Sequence, residues 1–311
     1  MTRFPPYTDL LATLLSALLL AAAAPAEAVR WSEPEITGLV THRAIGEISG
    51  LSAATHFPGH YWAINDSGSG AQLHLVDGKG RYRGSVDTPD VPNRDWEDLA
   101  SFRFEGSDYL LIADVGDNGG LRRELQLYVL EQPRRLDQPA LLAWTIRFTW
   151  PDGARDCEAA AVDPVAGEVL LVSKKRVPAE LFRVPLRPGR EPVVAERLGT
   201  LPGIEQPNLQ TLMDNPVYGR YRSQVTAADL SPNGRVLAVL NYQAVHFLIR
   251  PRGGDWREVL AAGKKMPHLQ MPWLPQAEAL AFDAGGTEMV IGSEQLPSPF
   301  LRYRLIPKPS H

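Results

Sequence analysis

Four glutamates recur in one local setting, each beside a short apolar run. Glu47 opens Ile48-Ser49-Gly50-Leu51, and Glu97 follows Asp95-Trp96 and opens Asp98-Leu99-Ala100. Glu158 opens Ala159-Ala160-Ala161-Val162-Asp163, and Glu278 opens Ala279-Leu280-Ala281-Phe282-Asp283. A fifth copy, Thr226-Ala227-Ala228-Asp229-Leu230-Ser231, carries Thr226 in place of the acid. The anchors lie roughly 50 to 70 residues apart, a period that marks stacked or radial copies of one supersecondary unit. If each run is the axial strand of its unit, Glu47, Glu97, Glu158 and Glu278 converge, with Thr226 as a neutral fifth member. Converging carboxylates repel, and some stay protonated unless a cation or a basic partner sits among them. Hard oxygens offered from several strands suit Ca²⁺, which accepts six to eight oxygens in loose geometry. Mg²⁺ asks for tighter octahedral geometry, and zinc lacks its usual Cys and His ligands here. The competing reading is that these acids begin strands and face water.

A second set of polar residues ends the strands that follow: Asn65-Asp66, Asp114 with Asp117-Asn118, Lys174-Lys175-Arg176, Asn241, and Ser293-Glu294. Lys174, Lys175 and Arg176 suit a phosphate or carboxylate ligand beside a bound cation, and their plain alternative is a solvated charge run. Asp114-Val115-Gly116-Asp117-Asn118 reads first as an Asx-type turn held by its own backbone. Were the ion catalytic, polarising a phosphoryl or carbonyl oxygen, Glu97 or Asp114 would be the base and Lys174 or Arg176 the anion holder. No Gly-x-Ser-x-Gly elbow, His-Glu-x-x-His helix or phosphate loop occurs.

The elements that must position these residues are short strands. The first unit reads as 50–56, 60–65, 72–76 and 82–87, and the second as 99–104, 109–115, 125–130 and 144–150. The third reads as 159–163, 168–173, 180–185 and 194–201. The fourth reads as 227–230, 236–242, 244–250 and 256–260, and the fifth as 279–282, 289–293 and 300–306. Such strands, separated by turns like Asp66-Ser67-Gly68-Ser69-Gly70, indicate an all-β fold. Tyr109-Leu110-Leu111-Ile112-Ala113 and Glu168-Val169-Leu170-Leu171-Val172 are continuously apolar, which asks for both faces to be covered. A single β-propeller provides that, since each blade lies between two neighbours. Five units predict five blades, with a degenerate sixth near 201–222 as the alternative to a long loop across one mouth. The fifth unit lacks a strand, and 36–42, left over at the start, completes it and closes the ring. Trp62, Trp96, Trp150 and Trp273 are expected between blades.

Residues 1–28 have the form of a secretory signal: Arg3, an apolar run from Leu10 to Ala24, then Ala26-Glu27-Ala28 before the expected cut. The propeller then occupies 29–311, in the periplasm or outside the cell, with no transmembrane segment after cleavage. The 311-residue chain carries a formal charge of −4, and a mildly acidic balance argues against a nucleic-acid partner. Cys157, the one cysteine, forms no internal disulfide and reads as a small buried residue.

The ordered series Glu47-Ile-Ser-Gly-Leu, Asp95-Trp-Glu-Asp-Leu, Asp156-Cys-Glu-Ala-Ala, Thr226-Ala-Ala-Asp-Leu-Ser-Pro-Asn-Gly and Gln276-Ala-Glu-Ala-Leu-Ala-Phe resembles the SdiA-regulated exported propellers. It is also similar to the wider phytase-like group with "esterase-like activity of phytase". The resemblance runs over nearly the whole mature chain. It implies a five- or six-bladed ring with calcium in or near the channel, at Glu47, Glu97, Glu158 and Glu278. It implies no settled reaction. Phytases of this type use several calcium ions and a basic pocket, to which only Lys174 to Arg176 correspond. The function expected is thus calcium-dependent binding of a small ligand or protein partner at one face, and the alternative is a calcium-dependent phosphoesterase or esterase.

Overall fold

In the computed structural model, residues 30–187 and 189–307 are described. The expected signal sequence and its cut after Ala28 lie outside these residues. The described chain is a five-bladed β-propeller. Blade I comprises Ile48–Ala53, His60–Asn65, Gln72–Asp77 and Tyr82–Asp87, in that order from the axis outward. Blade II comprises Trp96–Phe104, Ser107–Asp114, Leu125–Glu131 and Leu142–Thr149, with the short Val193–Val194 added in parallel at its rim. Blade III comprises Cys157–Asp163, Glu168–Ser173, Glu180–Pro185 and Glu196–Thr200. Blade IV comprises Val225–Leu230, Val236–Asn241, Ala244–Ile249 and His268–Gln270. Blade V comprises Ala277–Phe282, Glu288–Ser293 and Ser298–Arg304, and its outer strand is the N-terminal Glu35–Val40. That strand pairs antiparallel with Ser298–Arg304, so the ring closes as the leftover strand predicts.

Five hydrophobic cores hold the ring, one between each pair of neighbouring blades. The apolar second strands serve two of them at once. In Ser107–Asp114, Leu110 and Ile112 pack toward blade I, while Leu111 and Ala113 pack toward blade III. In His60–Asn65, Tyr61 and Ala63 face blade V while Trp62 and Ile64 face blade II. Alternate side chains therefore enter different cores, and neither face of these strands is wet. Trp62, Trp96 and Trp150 are buried, as is Cys157, whose thiol burial pushes well above its ordinary range. Trp273 departs from expectation: it is 67% exposed and lies on a face of the ring.

Two elements differ from the strand pattern. Residues 256–260 form an α-helix, Trp256–Ala261, and the outer strand of blade IV comes later. Asp255 caps this helix, accepting a hydrogen bond from Arg257 N at 2.7 Å, and Trp256 and Leu260 bury one face of the turn. The stretch 201–222 is a long insertion rather than a sixth blade. It carries the short helix Leu209–Asp214, capped by Asn208, and a 3₁₀ turn at Gly219–Tyr221. No helix among the described residues is long and apolar enough to cross a membrane.

Candidate functional site

Each axial strand is bulged at one residue, and the bulges fix which positions correspond. The ladder to the second strand skips one residue in every blade: Ser49, Glu97, Glu158, Thr226 and Glu278. These five form one ring. Two residues earlier lies a second ring of Glu47, Asp95, Asp156, Gln224 and Gln276. Glu47 is thus the counterpart of Asp95 and Asp156, not of Glu97, and Ser49 holds the bulge position in blade I. The neutral members of the bulge ring are spent on the fold. Ser49 Oγ donates to Trp96 O at 3.0 Å, and Thr226 Oγ1 donates to Ala277 O at 2.7 Å, each tying its blade to the next.

The ends of the second strands supply a third ring beside the first two. Asp66 N, Gly116 N, Lys174 N and Glu294 N donate to the carbonyls of Glu47, Asp95, Asp156 and Gln276 at 3.0 to 3.2 Å for the first three and 2.9 Å for the last. Tyr242 follows Asn241 at the equivalent place in blade IV. The mouth therefore receives Asp66, Lys174, Tyr242 and Glu294, while blade II contributes only Gly116. The space this glycine leaves is taken by acids: a Cβ added there would collide with Glu97 Oε1 and Asp95 Oδ2.

These two acids form a compact group with Asp66 of blade I. Ligand oxygens of Asp66, Asp95 and Glu97 all lie within 4.8 Å of one another. Two oxygens about 2.3–2.6 Å from one Ca²⁺ stand at most about 4.6–5.2 Å apart, so this spacing is compatible with a shared ion, and the donor set is purely oxygen. Burial and mutual repulsion act together on these carboxyls. Burial, with Glu158, Asp66 and Asp95 nearby, holds the Glu97 carboxyl well above its ordinary range. Burial also raises Asp66 and Asp95, and each is pushed further by neighbouring acids.

The remaining predicted residues divide among other partners. Glu158 is ion-paired with Lys174, yet burial pushes its carboxyl up to about 8. Burial opposes the Lys174 charge, but Glu158, Glu278 and Glu97 outweigh it and keep the ammonium firmly protonated. Glu278 accepts from the Tyr242 hydroxyl. Glu294, held by Gln276 Nε2 at 2.7 Å, is pushed up to about 9 by burial and then by Glu278. Glu47 is exposed at the rim. Of the four glutamates, only Glu97 belongs to the compact group.

Asp114 does not join the site. It is fully buried, paired with Arg122 Nη2 at 2.5 Å, and accepts Arg94 N at 3.3 Å. Asp117 accepts Leu121 N and Arg122 N at 2.8 and 3.0 Å, the backbone-held turn that its sequence suggests. Nor do the three successive cations form one pocket. Lys174 enters the mouth, Lys175 reaches Asp156 at 2.9 Å and Asn118 Oδ1 at 2.7 Å, and Arg176 lies 3.9 Å from Asp152.

Asp66 and Glu294 stand among the strand ends in the sequence with no role evident there, and nothing in their own stretches singles out Asp95 or Tyr242 as site residues. Asp98 is fully buried and closes the axis beneath the mouth. Its carboxylate accepts Leu99 N at 2.8 Å, Ala160 N at 2.8 Å and Ala228 N at 3.0 Å, so one side chain joins blades II, III and IV. The signal was legible: the equivalent positions are Gly50, Ala159, Ala227 and Ala279, small enough to leave the axis to one acid. Asp229, one layer further, does the same with Leu230 N and Phe282 N at 2.8 and 2.7 Å.

No family model matches this chain, and no curated protein matches it. Among solved structures it is similar to that of U3-55K, at 12% identity and a TM-score of 0.39, over 83% of this chain and 68% of that one. It is also similar to Chaetomium thermophilum Raptor, at 14% identity and a TM-score of 0.38, over 85% of this chain and 20% of that one.

Proposed function

We propose that this is an exported, cation-binding propeller that holds Ca²⁺ at the mouth of its channel and uses the same face to bind a small ligand. The observation that carries the cation reading is the convergence of Asp66, Asp95 and Glu97, the last two of which fill the space beside Gly116. Glu47 and Glu278 border this group and are candidates for outer or water-mediated contacts. The ion would supply charge neutralisation, allowing carboxylates that burial holds above their ordinary range to ionise together. Lys174 fills the corresponding need on the blade III side, where it pairs with Glu158.

Ligand binding is favoured over hydrolysis. Of the two bases a hydrolytic site would use, Asp114 is committed to Arg122 and Glu97 belongs to the cation group. Export rests on residues 1–28, and N-terminal sequencing of the protein recovered outside the cytoplasm should begin at Val29.

Thermal unfolding with chelator, then with added Ca²⁺, tests the cation. Binding to the folded state at a hundredfold excess over Kd adds roughly 2.7 kcal/mol, several degrees for a domain of this size. Asp95→Asn and Glu97→Gln should abolish the rise, while Glu278→Gln should leave most of it. Equal loss in Glu278→Gln and Glu158→Gln would instead support a wider site of four glutamates. No calcium-dependent rise, in protein purified free of metal, would remove the reading.

A further inference from the structure

The insertion and the blade IV–V connection enclose a cleft of about 440 Å³ beside the acidic mouth. Its walls have a specific chemistry. Tyr218 and Tyr221 come from the insertion, and Trp273 from the segment leading into blade V. Trp273 is 67% exposed and Tyr218 51% exposed, an unusual placement for large aromatic rings unless something covers them. The lining also carries side-chain amides, and its charged groups are all cations: Lys174, Lys175 and Arg222. Two of the cations are committed, Lys174 to Glu158 and Lys175 to Asp156. Among the described residues, Arg222 has no ion pair and no side-chain hydrogen bond, and neither has the neighbouring Gln224 amide. Gln295, also in the lining, holds φ +66°, a left-handed conformation that costs free energy for a residue with a Cβ. Its amide is joined to Gln276 on the same wall.

We infer that this cleft binds an acidic saccharide: a hydroxyl-rich ring bearing one carboxylate or phosphate. The flat faces of Trp273 and the tyrosines suit the C–H face of a pyranose. Amides pair with vicinal hydroxyls, and the uncommitted guanidinium of Arg222 takes the anion as a fork. The size fits the range of small-ligand sites, with room for one or two sugar rings. A neutral sugar would leave Arg222 unpaired, and an acyl chain would leave both Arg222 and the Gln224 amide unpaired, each at a cost. The inference rests on the reading that the mouth face is the working face. It does not require the cation, since none of Asp66, Asp95 and Glu97 lines the cleft.

Isothermal titration of the whole mature protein with galacturonic acid, digalacturonate, glucose 6-phosphate and galactose tests it, each with chelator and with Ca²⁺. Binding of the uronates or of the sugar phosphate, at least about tenfold tighter than galactose, is expected, and which anion wins identifies the source. Arg222→Gln should erase that preference, weakening the acidic sugar about ten- to a hundredfold while galactose changes little. Trp273→Ala should weaken both classes, and Trp273→Phe should restore part of the loss. Unchanged melting temperatures for these surface variants establish that the fold survives. Failure of every acidic sugar to bind, or binding indifferent to Trp273→Ala and Arg222→Gln, overturns the inference. Binding that persists in chelator leaves it standing even if the cation reading fails.

Discussion

At the scale of single residues, the axis shows how an acid serves the fold and how it serves a site. Asp98 and Glu97 are neighbours on one bulged strand and point to opposite uses. Asp98 meets three backbone N–H groups, so its burial, which pushes the carboxyl up, is opposed by donors from blades III and IV. Asp98→Ala should cost roughly 3 kcal/mol or more, because two inter-blade N–H groups lose their acceptor in a dry layer. Asp98→Asn keeps an acceptor and should cost less. Denaturant unfolding of both variants measures this, and an unaffected Asp98→Ala protein would remove the bridging role. Glu158 and Glu294 belong to the other kind, with carboxyls pushed to about 8 and about 9 by burial among like charges. Their folded pKa values lie above those of the unfolded chain, so between pH 5 and pH 9 the folded protein holds protons that the unfolded chain has released. Stability without metal should therefore fall as pH rises through this window. Added Ca²⁺ should offset the fall at high pH, because binding favours the ionised carboxylates. Melting curves at pH 5, 7 and 9, with and without Ca²⁺, read both effects. A metal-free protein most stable at pH 9 would contradict the sign.

At the scale of elements, what was legible in the sequence follows from how many constraints act on each stretch. The second strands were readable because two cores constrain them: Leu110 to Ala113 cannot tolerate a polar residue on either face. The anchor of blade I reads two residues out of register in the sequence, because Glu47-Ile48-Ser49 offers an acid at one position and the bulge lies at another. The backbone ladder decides that, and one strand read alone does not contain it. Gly50 was the available clue, since a Cβ there would stand 2.7 Å from Leu99 N. The helix Trp256–Ala261 reads as a strand in the sequence because 256–260, five residues with three large apolar side chains, satisfy both periods. Asp255 as a cap with Glu258 three positions on was the sequence evidence for helix. The compact acid group was the least legible part, since Asp66, Asp95 and Glu97 come from two blades and meet only because blade II presents a glycine. Asp255→Ala should lower stability by about 1 kcal/mol through the lost cap and leave calcium binding unchanged. Glycine-to-alanine exchange at Gly116 should do the reverse, with a Cβ pressing into Glu97 and Asp95. Calcium-dependent stabilisation measured on both variants compares the two, and a Gly116→Ala protein that binds calcium normally would show that the cradle is wider than it looks.

At the scale of the whole molecule, stability depends on closure, since each blade has its two large faces covered only when the ring is complete. The latch is Glu35–Val40 on Ser298–Arg304. It is fitted as well as paired: Gly38 passes so close to Lys79 O that a Cβ would collide, and Val40 and Phe300 pack over Gly80, which has φ +71°. The two ends of the described chain also meet, with Trp31 bridged to Leu305 and Ile306 N donating to Arg30 O at 2.8 Å. Deleting residues up to Val40 should therefore do more than remove six residues. It strips the outer strand from blade V, opens the core shared with blade I, and exposes an unpaired edge that invites aggregation. Closure, rather than order along the chain, is what the fold requires. A circular permutant that joins the two ends by a short linker and opens at the exposed turn Pro151–Gly153 keeps all five blades intact. It should fold with a melting temperature within a few degrees of the parent, whereas the deletion should lose most of the cooperative transition. A permutant that fails while the deletion folds would place the stability of this ring in its individual blades and not in the latch.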